Sequence, residues 1–307
     1  MSLLYRLLFR AYRFYLKSKG SYQDFDSFYK QEVESGFIYT RLKGAVQLGY
    51  IPDLNEPSSF NEKSIHRRIY DRSPLWPIVT NKITVRDWLK EKGLDEDVRL
   101  IPILNVINDV DKFDFSNLDQ QVVIKAAWAS GMNIFVTEPE SADWLKIKNK
   151  LLSWQKQEYA PERLVWSGTK MNRDFIIEKM YSTASSELLE DYKFYVFHGK
   201  VELIQVIVGR DDEPCYAHFD RDLNRIKVKR FGKKDINQSY SLNPIVNEMV
   251  IVAEKIGKYF DFSRVDLYDL EGEIYFGEIT ECPNNGYARF EPMKFDTELG
   301  RKWEYKS

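Results

Sequence analysis

Two short apolar segments near the C-terminus, Arg264 to Asp269 and Glu273 to Ile279, predict a pair of β-strands joined by a turn at Leu270-Glu271-Gly272. Each segment carries one carboxylate among its apolar residues, Asp266 in the first and Glu278 in the second. On neighbouring antiparallel strands these two side chains can stand directly opposite each other. Carboxylates placed side by side repel, so the pattern predicts a cation between them. Mg²⁺ suits such a site, because it takes oxygen ligands from one or two carboxylates together with phosphates and waters.

Arg264 lies two residues before Asp266, where its guanidinium can stabilise the charge that develops on a transferring phosphoryl group. The alternative is that both acids are ordinary solvent-facing residues. The apolar neighbours of the two acids, Val265 and Leu267 in one segment and Phe276 and Ile279 in the other, argue against that alternative. The strand pair therefore predicts a phosphoryl-transfer site.

The bulk properties of the chain restrict the class of protein. It has 307 residues, a formal net charge of −2 and two cysteines, Cys215 and Cys282. A nucleic-acid-binding domain is usually basic, so no nucleic-acid partner is expected. The scarcity of cysteine argues against a secreted disulfide scaffold and predicts a cytoplasmic protein. No apolar run approaches the roughly 20 residues that a transmembrane helix needs.

Residues 1–50 are predicted to form a helical N-terminal region. Apolar residues recur at helical spacing through the first 19 positions, among five basic residues and no acid. Basic residues interrupt the apolar stretch and no small-residue cleavage site follows, which argues against a signal peptide. Two interpretations stay open: a helix docked on its own domain with solvated basic residues, or peripheral contact with the inner face of an anionic membrane.

The rest of the chain predicts an α+β fold, with strands that mostly meander and helices at their ends. The predicted helices are Ile83 to Glu91, Trp144 to Trp154 and Pro244 to Phe260. The predicted strands before the acidic pair are Arg99 to Val106, Gln121 to Lys125, Asn133 to Val136, Phe175 to Met180, Tyr192 to Phe197 and Val201 to Val208. The last two form a hairpin around His198-Gly199, and the segment after Ile279 is predicted as loop.

A strand lysine followed by a loop of small residues is a second candidate nucleotide site. Val122 to Lys125 precedes the loop Ala126 to Gly131. The chain has neither a Walker A motif nor G-x-G-x-x-G, and a protein kinase would place its glycine-rich loop before the strand lysine. In the order found here Lys125 can reach the nucleotide phosphates while backbone N–H groups of the loop fold over them. The alternative for Lys125 is a strand-end lysine that faces water.

The segment Ile176 to Tyr181 is a weaker candidate for the adenine site. A strand that ends in an acid and an apolar residue can act as a hinge, offering backbone groups to the adenine edge while Glu178 accepts from the adenine amine. The alternative is an edge strand with exposed charges.

The order of these motifs carries a family resemblance. From about Asn55 to Lys302 the chain resembles the TupA-like ATP-grasp proteins of bacterial surface-polysaccharide gene clusters. The motifs that carry it are FNEK (60–63), YDRSPL (70–75), Asn81-Lys82 with Arg86, IPIL (101–104), VVIK (122–125), SGMN (130–133), IIEKMY (176–181), DYKFYVF (191–197), GK (199–200), RVDLYDLEGEIYFGEIT (264–280) and CPNNG (282–286). The resemblance implies an ATP-grasp fold, in which two antiparallel-sheet lobes clasp ATP.

The resemblance also implies a role for each matched position. The implied nucleotide-binding residues, from the phosphates to the adenine hinge and the ribose, are Lys82, Arg86, Lys125, Ser130, Gly131, Glu178, Met180, Asp191 and Lys193. The implied catalytic residues are Arg264 and Arg210, the latter facing the γ-phosphate or the acceptor carboxylate. The implied metal ligands are Asp266, Glu278 and Thr280.

The chain departs from the family pattern at two of these sites. Trp128-Ala129-Ser130-Gly131 stands where the family usually has H-G-S-G, and Asn81-Lys82 stands for an Asp-Lys pair. The lost glycine and histidine bear on how the loop closes. Thr280 stands where ATP-grasp enzymes often have asparagine, and it offers one hydroxyl oxygen as a weaker metal contact.

The function that the resemblance implies is an ATP-dependent carboxylate–amine ligase that uses ATP and Mg²⁺ and works through an acyl phosphate. Its substrates would be a small-molecule or glycan carboxylate and an amine donor. The implied subdivision is a helical region over 1–50, an N-terminal subdomain over 51–118, a central lobe over 119–182 and a C-terminal lobe over 183–307. Two alternatives stay open: a glycosyltransferase or sugar-modifying enzyme, and a degenerate ATP-binding module with an altered loop.

Other polar residues are not predicted as sites. Cys215-x-x-His218 has too few companions for a structural zinc site, which needs four ligands, and His198 is predicted as a solvated turn residue. The basic run from Lys227 to Lys234 is predicted as a solvated face that could also meet an anionic glycan.

Overall fold

The computed structural model describes residues 3–156, 160–181, 190–209 and 213–305, and the expected α+β class is confirmed. The helices are α1 (Leu3–Ser18), α2 (Phe25–Glu34), α3 (Ile38–Gln47), α4 (Phe60–Tyr70), α5 (Trp76–Val79), α6 (Thr84–Glu91), α7 (Trp144–Lys156), α8 (Trp166–Thr169), α9 (Val246–Gly257) and α10 (Lys294–Arg301). The strands are β1 (Arg99–Leu100), β2 (Ile103–Ile107), β3 (Val122–Ala126), β4 (Asn133–Val136), β5 (Phe175–Lys179), β6 (Asp191–Phe197), β7 (Lys200–Val208), β8 (Cys215–Phe219), β9 (Lys229–Arg230), β10 (Lys234–Asp235), β11 (Phe262–Leu270), β12 (Glu273–Thr280) and β13 (Phe290–Glu291).

The large sheet has seven strands in the order β1-β12-β11-β6-β7-β8-β10. It is antiparallel except at its two edges, where β1 and β10 pair in parallel. β6 is buried along its whole length, so both faces of the sheet are covered. α9 lies on one face, where Met249, Val252 and Ile256 join the same core as Phe194 and Val265. Apolar side chains that repeat every 3.6 residues along α9 pack here against apolar side chains that repeat every two residues along the strands.

The opposite face of the large sheet is apolar at one end and polar at the other. Phe197, Phe262 and Trp303 lie in the aromatic cluster at the apolar end. Because residues two apart on a strand point the same way, the next positions on this face of β6 and β11 include Lys193 and Arg264. Both are buried, so the aromatic end leads directly into a buried polar site.

The small sheet has four strands in the order β2-β5-β3-β4 and is antiparallel throughout. Its core contains Ile124, Phe175, Ile177 and, from α7, Leu151. The sheet carries the two segments that sequence analysis assigned to nucleotide binding, since Lys125 lies on β3 and Glu178 on β5.

The segment Arg99 to Val106 is not one strand, as predicted, but two. β1 pairs with β12 of the large sheet, whereas β2 pairs with β5 of the small sheet. Pro102 lies between them and has no backbone N–H to continue a ladder. The chain passes from one sheet to the other at this point, and the proposed subdomain bounds at 50, 118 and 182 stay predictions.

The prediction of loop after Ile279 is wrong over α10. This helix packs so closely on the start of α4 that a Cβ at Gly300 would lie 2.4 Å from the carbonyl oxygen of Ser58. Lys63 of α4 donates to the carbonyl oxygens of Gly300 and Trp303, at 2.9 and 2.7 Å. Tertiary contacts therefore stabilise this helix. With eight residues it is too short to be predicted from its local sequence.

The N-terminal helices form their own core around Leu16, Phe28, Tyr39 and Leu48. Buried Glu32 of α2 accepts from the backbone N–H groups of Tyr39 and Thr40 at the start of α3, each at 2.9 Å. Among the described residues, no helix combines the length and apolar character needed to cross a bilayer.

Candidate active site

A row of polar side chains crosses the large sheet on its second face. The strand register places Glu278 opposite Asp266, Asp266 opposite Lys193, and Lys193 opposite Gln205, which in turn faces His218. We call these five residues the polar ladder. The cross-strand pairing of Asp266 with Glu278 that the sequence predicts is confirmed. Each member stands on a different strand, so one line of contacts runs across five strands.

Arg264 ties the acidic end of the polar ladder together. Its Nε and Nη2 donate to the two carboxylate oxygens of Asp266 at 2.6 and 2.7 Å. Nη2 also lies 3.1 Å from Glu278 Oε1 and 2.9 Å from Thr280 Oγ1. Arg264 is two residues from Asp266 on β11, so the strand's period of two puts both side chains on one face. A guanidinium thus lies between the acids where a cation was expected.

Lys193 supplies a second cation to the same carboxylate. Its ammonium contacts Asp266 Oδ2 and donates to Asp191 Oδ1 at 3.0 Å. All three side chains are almost completely buried. Burial raises the pKa of Asp266, while the Arg264 and Lys193 charges act to lower it. The predicted ribose and phosphate residues Asp191 and Lys193 are therefore part of the ion network around Asp266.

The oxygen donors at this end suit magnesium. Glu278 and Thr280 line the central cavity, and Thr280 Oγ1 lies 3.2 Å from Glu278 Oε1. Within the described ranges no three His, Cys, Asp or Glu side chains are grouped as a complete metal site. Mg²⁺ does not require such a group, because it usually keeps waters and takes phosphate oxygens besides one or two carboxylates. The donor set fits a metal that arrives with a nucleotide.

The central cavity has a volume of about 660 Å³ and adjoins the polar ladder. The side chains that line it come from the large sheet, β9, the small-residue loop and helix α3, among other segments. Those relevant here are Lys43, Gln47, Lys82, Trp128, Ser130, Arg163, Lys193, Gln205, Tyr216, Arg230, Lys233, Arg264, Glu278, Thr280 and Glu281. Seven of them are basic and two are acidic, so the cavity suits anionic ligands.

A second ion cluster joins three of the predicted nucleotide-binding residues. Glu178 accepts from Lys125 at 2.6 Å and from Arg86 at 2.8 Å. Only 5% of Glu178 is exposed, so its carboxylate is committed to these two cations. The N–H of Met180 donates to the carbonyl oxygen of Gln121 at 3.2 Å and extends the sheet past β5. The hinge role of Glu178 and Met180 stays a prediction.

Lys82 holds the small-residue loop rather than standing free beside it. Its Nζ donates to the carbonyl oxygens of Ala126 and Ala129 at 2.9 and 2.8 Å. Burial lowers the pKa of Lys82, while the charge of Glu278 acts in the opposite sense. Gly131 has a φ of +78°, which a residue with a side chain rarely adopts. Lys82 and Gly131 thus fix the course of the loop between the two ion clusters.

Replacing Lys82 should loosen this loop. Lys82→Met leaves two backbone carbonyls without their charged donor, and we expect the free energy of unfolding to fall by about 1–3 kcal/mol. Denaturant unfolding measures the change. Lys90→Met, on the exposed side of α6, is the matched control. Equal stabilities of the two variants would contradict the anchoring role of Lys82.

Trp128 of the small-residue loop brings an indole N–H donor to the cavity. Its ring packs against Phe175 with centroids 5.0 Å apart. The indole Nε1 is buried and has no acceptor among the described residues, and the side chain lines the cavity. A donor-only N–H group at this position can serve an anionic ligand.

Two of the remaining predicted residues lie differently with respect to the cavity. Ser130 lines it, whereas Arg210 lies outside the described residues.

His218 ends the polar ladder, and burial lowers its pKa to about 4, so its ring is neutral at pH 7. That the Cys215-x-x-His218 pair is not a site stays a prediction.

Sequence analysis missed several cavity residues. The basic run was expected to be a solvated face, but Arg230 and Lys233 line the cavity because β9 pairs with β13 and turns inward. Gln205 could have been noticed, since it is a polar residue in the middle of an apolar strand. Lys43 and Arg163 reach the cavity only through the packing of distant segments.

The chain is similar to a known family and to solved structures of low sequence identity. A family model described as TupA-like ATPgrasp matches residues 62–304. No curated protein matches the chain. Three solved structures are similar at low identity: D-alanine–D-alanine ligase from Helicobacter pylori (14% identity, TM-score 0.41), the Bacillus anthracis enzyme complexed with ATP (14%, 0.42), and the ATP-grasp ligase PsnB complexed with minimal precursor, Mg and ADP (13%, 0.36).

The alignments cover 74%, 73% and 68% of this chain, and 62%, 67% and 52% of those proteins in the same order. The chain thus spans less than two-thirds of the first and about half of PsnB. The family model, in contrast, covers far more than half of the present chain. On that match the chain belongs to the TupA-like ATP-grasp family.

Proposed function

We propose that this protein is an ATP-dependent carboxylate–amine ligase that works through an acyl phosphate. The observation that carries the proposal is the placement of Arg264, Glu278 and Thr280 on one wall of a cavity whose other wall is the loop held by Lys82. Positive charge, acidic oxygens and a small-residue loop meet there, as transfer of a phosphoryl group requires.

In the proposed reaction a carboxylate oxygen of the acceptor attacks the γ-phosphorus of ATP, and the bond to the bridging oxygen breaks to release ADP. The amine nitrogen then attacks the acyl carbon, loses a proton and expels phosphate, which leaves an amide. Arg264 lies where it can neutralise the transferring group. Magnesium, held by Glu278 and Thr280 with phosphate oxygens, would supply further charge neutralisation, while Asp266, whose two oxygens bind Arg264 and Lys193, would orient Arg264.

Membership of the family supports an acceptor from bacterial surface-polysaccharide assembly, with a uronic-acid or amino-acid carboxylate. The basic lining of the cavity is in keeping with such an acid. The alternative functions differ in their products. A glycosyltransferase would turn over a nucleotide sugar without forming ADP, and a degenerate module would bind ATP without turnover.

The test is a product assay with purified protein, Mg-ATP and a panel of acids and amines. The proposal predicts that one acid with one amine stimulates release of ADP and phosphate in equal amounts, together with an amide product. ATP binding without any acid-stimulated ADP release across uronic acids and amino acids would argue against ligation. ADP-free turnover of a nucleotide sugar would support the glycosyltransferase instead.

We also propose that α1 rests on an anionic membrane surface. The helix packs on the N-terminal core through Phe9, Tyr12 and Leu16. A second side carries Arg6, Arg10, Arg13 and Lys17. A third side is apolar yet exposed, with large side chains at Leu3, Leu4, Leu7, Leu8, Phe14 and Tyr15. Helix α1 thus packs on the domain with one side and still exposes an apolar side. The basic side next to it complements anionic headgroups.

Replacing two residues of the exposed apolar side should release the protein from vesicles. We expect the wild type to float with phosphatidylglycerol vesicles and not with phosphatidylcholine vesicles, and Leu7→Ser with Phe14→Ser to lose flotation. Ile251→Ser, which changes an exposed apolar residue on α9, is the control and should float like the wild type. Failure of the wild type to bind anionic vesicles would contradict the proposal.

A further inference from the structure

The wall of the central cavity contains a half-buried cation, Arg230, that the reaction described above does not use. Arg230 lies on β9, where its guanidinium carbon is 5.4 Å from the ring centroid of Phe290. Its Nη1 is buried and has no hydrogen-bond acceptor among the described residues, while the side chain lines the central cavity. A buried guanidinium nitrogen without an acceptor is unfavourable unless a ligand supplies one.

The surroundings of Arg230 strengthen this conclusion. Burial lowers its pKa, and the nearby positive charge of Arg264 lowers it further. An oxyanion bound to Arg230 relieves this repulsion. The hydroxyl of Tyr195, which lies near both arginines, is buried without a partner in the described part of the chain.

Gln205 adds a polar group of a different kind. It is 4% exposed, lies between Lys193 and His218 in the polar ladder and lines the cavity. Its Oε1 is buried and receives no hydrogen bond from the described residues. An amide oxygen in this state accepts from a hydroxyl or amine of a ligand. The two groups together fit a ligand that carries an oxyanion and a hydroxyl.

We propose that Arg230 and Gln205 form an acceptor subsite that binds a carboxylate or phosphate group on a hydroxyl-bearing molecule. This proposal rests on the proposed ligase function in one respect: that function is the reason for identifying the bound molecule as the acceptor. Lys233, which lies in the turn after β9 and also lines the cavity, adds positive charge at its mouth.

The position of the subsite bears on the shape of the acceptor. Glu278 and Gln205 stand on strands three spacings apart, which corresponds to about 14 Å across the sheet. A group bound by Gln205 therefore lies well away from Glu278, where phosphoryl transfer is proposed. An acceptor that reaches both Glu278 and the subsite carries the anionic group bound by Arg230 besides the carboxylate that is activated.

Binding of small probes to the full chain without nucleotide tests the subsite directly. Ligand-observed NMR titrations would use D-glucuronate, D-glucose 6-phosphate and neutral D-glucose. We expect one or both anions to bind and glucose not to bind. Arg230→Gln should weaken anion binding by about 10- to 100-fold, the loss expected for one charged hydrogen-bonding partner. Lys229→Gln, an exposed neighbour on the same strand, should bind like the wild type.

A second variant keeps the test decisive if Arg230→Gln does not fold. Gln205→Glu preserves the size of the side chain, and the new carboxylate faces Lys193 across β6 and β7. It should abolish anion binding through repulsion, and Arg230→Lys should restore part of what Arg230→Gln loses. Which of the two anions binds the wild type identifies the group as carboxylate or phosphate.

Three results would overturn the subsite: no binding of either anion to the wild type, equal binding of glucose, or unchanged anion binding in folded Arg230→Gln and Gln205→Glu. The subsite and the ligase function fail separately. Loss of anion binding in the variants supports the subsite even if no acid stimulates ADP release. Stimulated ADP release with unchanged anion binding supports ligation and removes the subsite.

Discussion

Glu278→Gln should reduce acid-stimulated ADP formation by about a thousandfold or more, because stabilisation of the charge on a transferring phosphoryl group is worth several kcal/mol. The substitution keeps the size of the side chain and removes one negative oxygen donor from the cavity wall. It also removes the charge that Arg264 Nη2 contacts at 3.1 Å. Since about a third of the Glu278 side chain is exposed, the fold should tolerate the change.

The matched control for this variant lies on the same strand. Glu273 is exposed at the start of β12 and pairs with Arg99 at the surface, so Glu273→Gln should keep wild-type turnover. Both rates would be measured as ADP formed per enzyme with the same acid and amine. If Glu278→Gln turned over within threefold of the control, the proposed role of Glu278 in the reaction would be contradicted.

Lys193→Met should cause a large loss of stability. The lysine contacts both Asp191 and Asp266, and all three groups are buried in the large sheet. Removing one member of a buried ion network leaves uncompensated charge, which typically lowers the free energy of unfolding by about 3–5 kcal/mol. Denaturant unfolding at pH 7 measures the difference. Lys200→Met, an exposed lysine on β7 of the same sheet, is the control and should be nearly neutral.

The pH dependence of this loss has a defined sign. Burial raises the pKa of Asp266, and Lys193 is one of the two cations that oppose this effect. Without Lys193 the folded-state pKa rises further above the unfolded value, so the penalty is present at neutral pH and fades as falling pH protonates the carboxyl. The stability gap between variant and wild type should narrow on acidification. A gap that is absent at pH 7 would contradict the ion network.

The sequence is most informative where local pattern and tertiary structure agree. The two-residue period of β11 and β12 predicts both strands and the pairing of Asp266 with Glu278, and the 3.6-residue period predicts α9. The same two-residue period already places Arg264 beside Asp266, so the guanidinium between the acids could have been foreseen. Sequence analysis instead assigned that position to magnesium alone.

Other parts of the site depend on contacts between distant segments. Lys43 reaches the cavity because the N-terminal helices pack against α4 and the segment around Tyr287. Arg230 reaches it through the pairing of β9 with β13, two strands of two residues each. A strand of two residues is too short to show an alternating apolar pattern. A run of basic residues does not indicate which of its side chains faces the cavity.

The central claim is that the cavity between the polar ladder and the loop binds Mg-ATP through Glu278. Calorimetric titration of ATP into the wild-type protein, with Mg²⁺ and then with EDTA, tests it most directly. We expect one nucleotide per chain, bound at least tenfold more tightly with Mg²⁺, and we expect Glu278→Gln to lose that difference while still binding ATP. Absence of ATP binding, or an unchanged Mg²⁺ effect in Glu278→Gln, would contradict the claim.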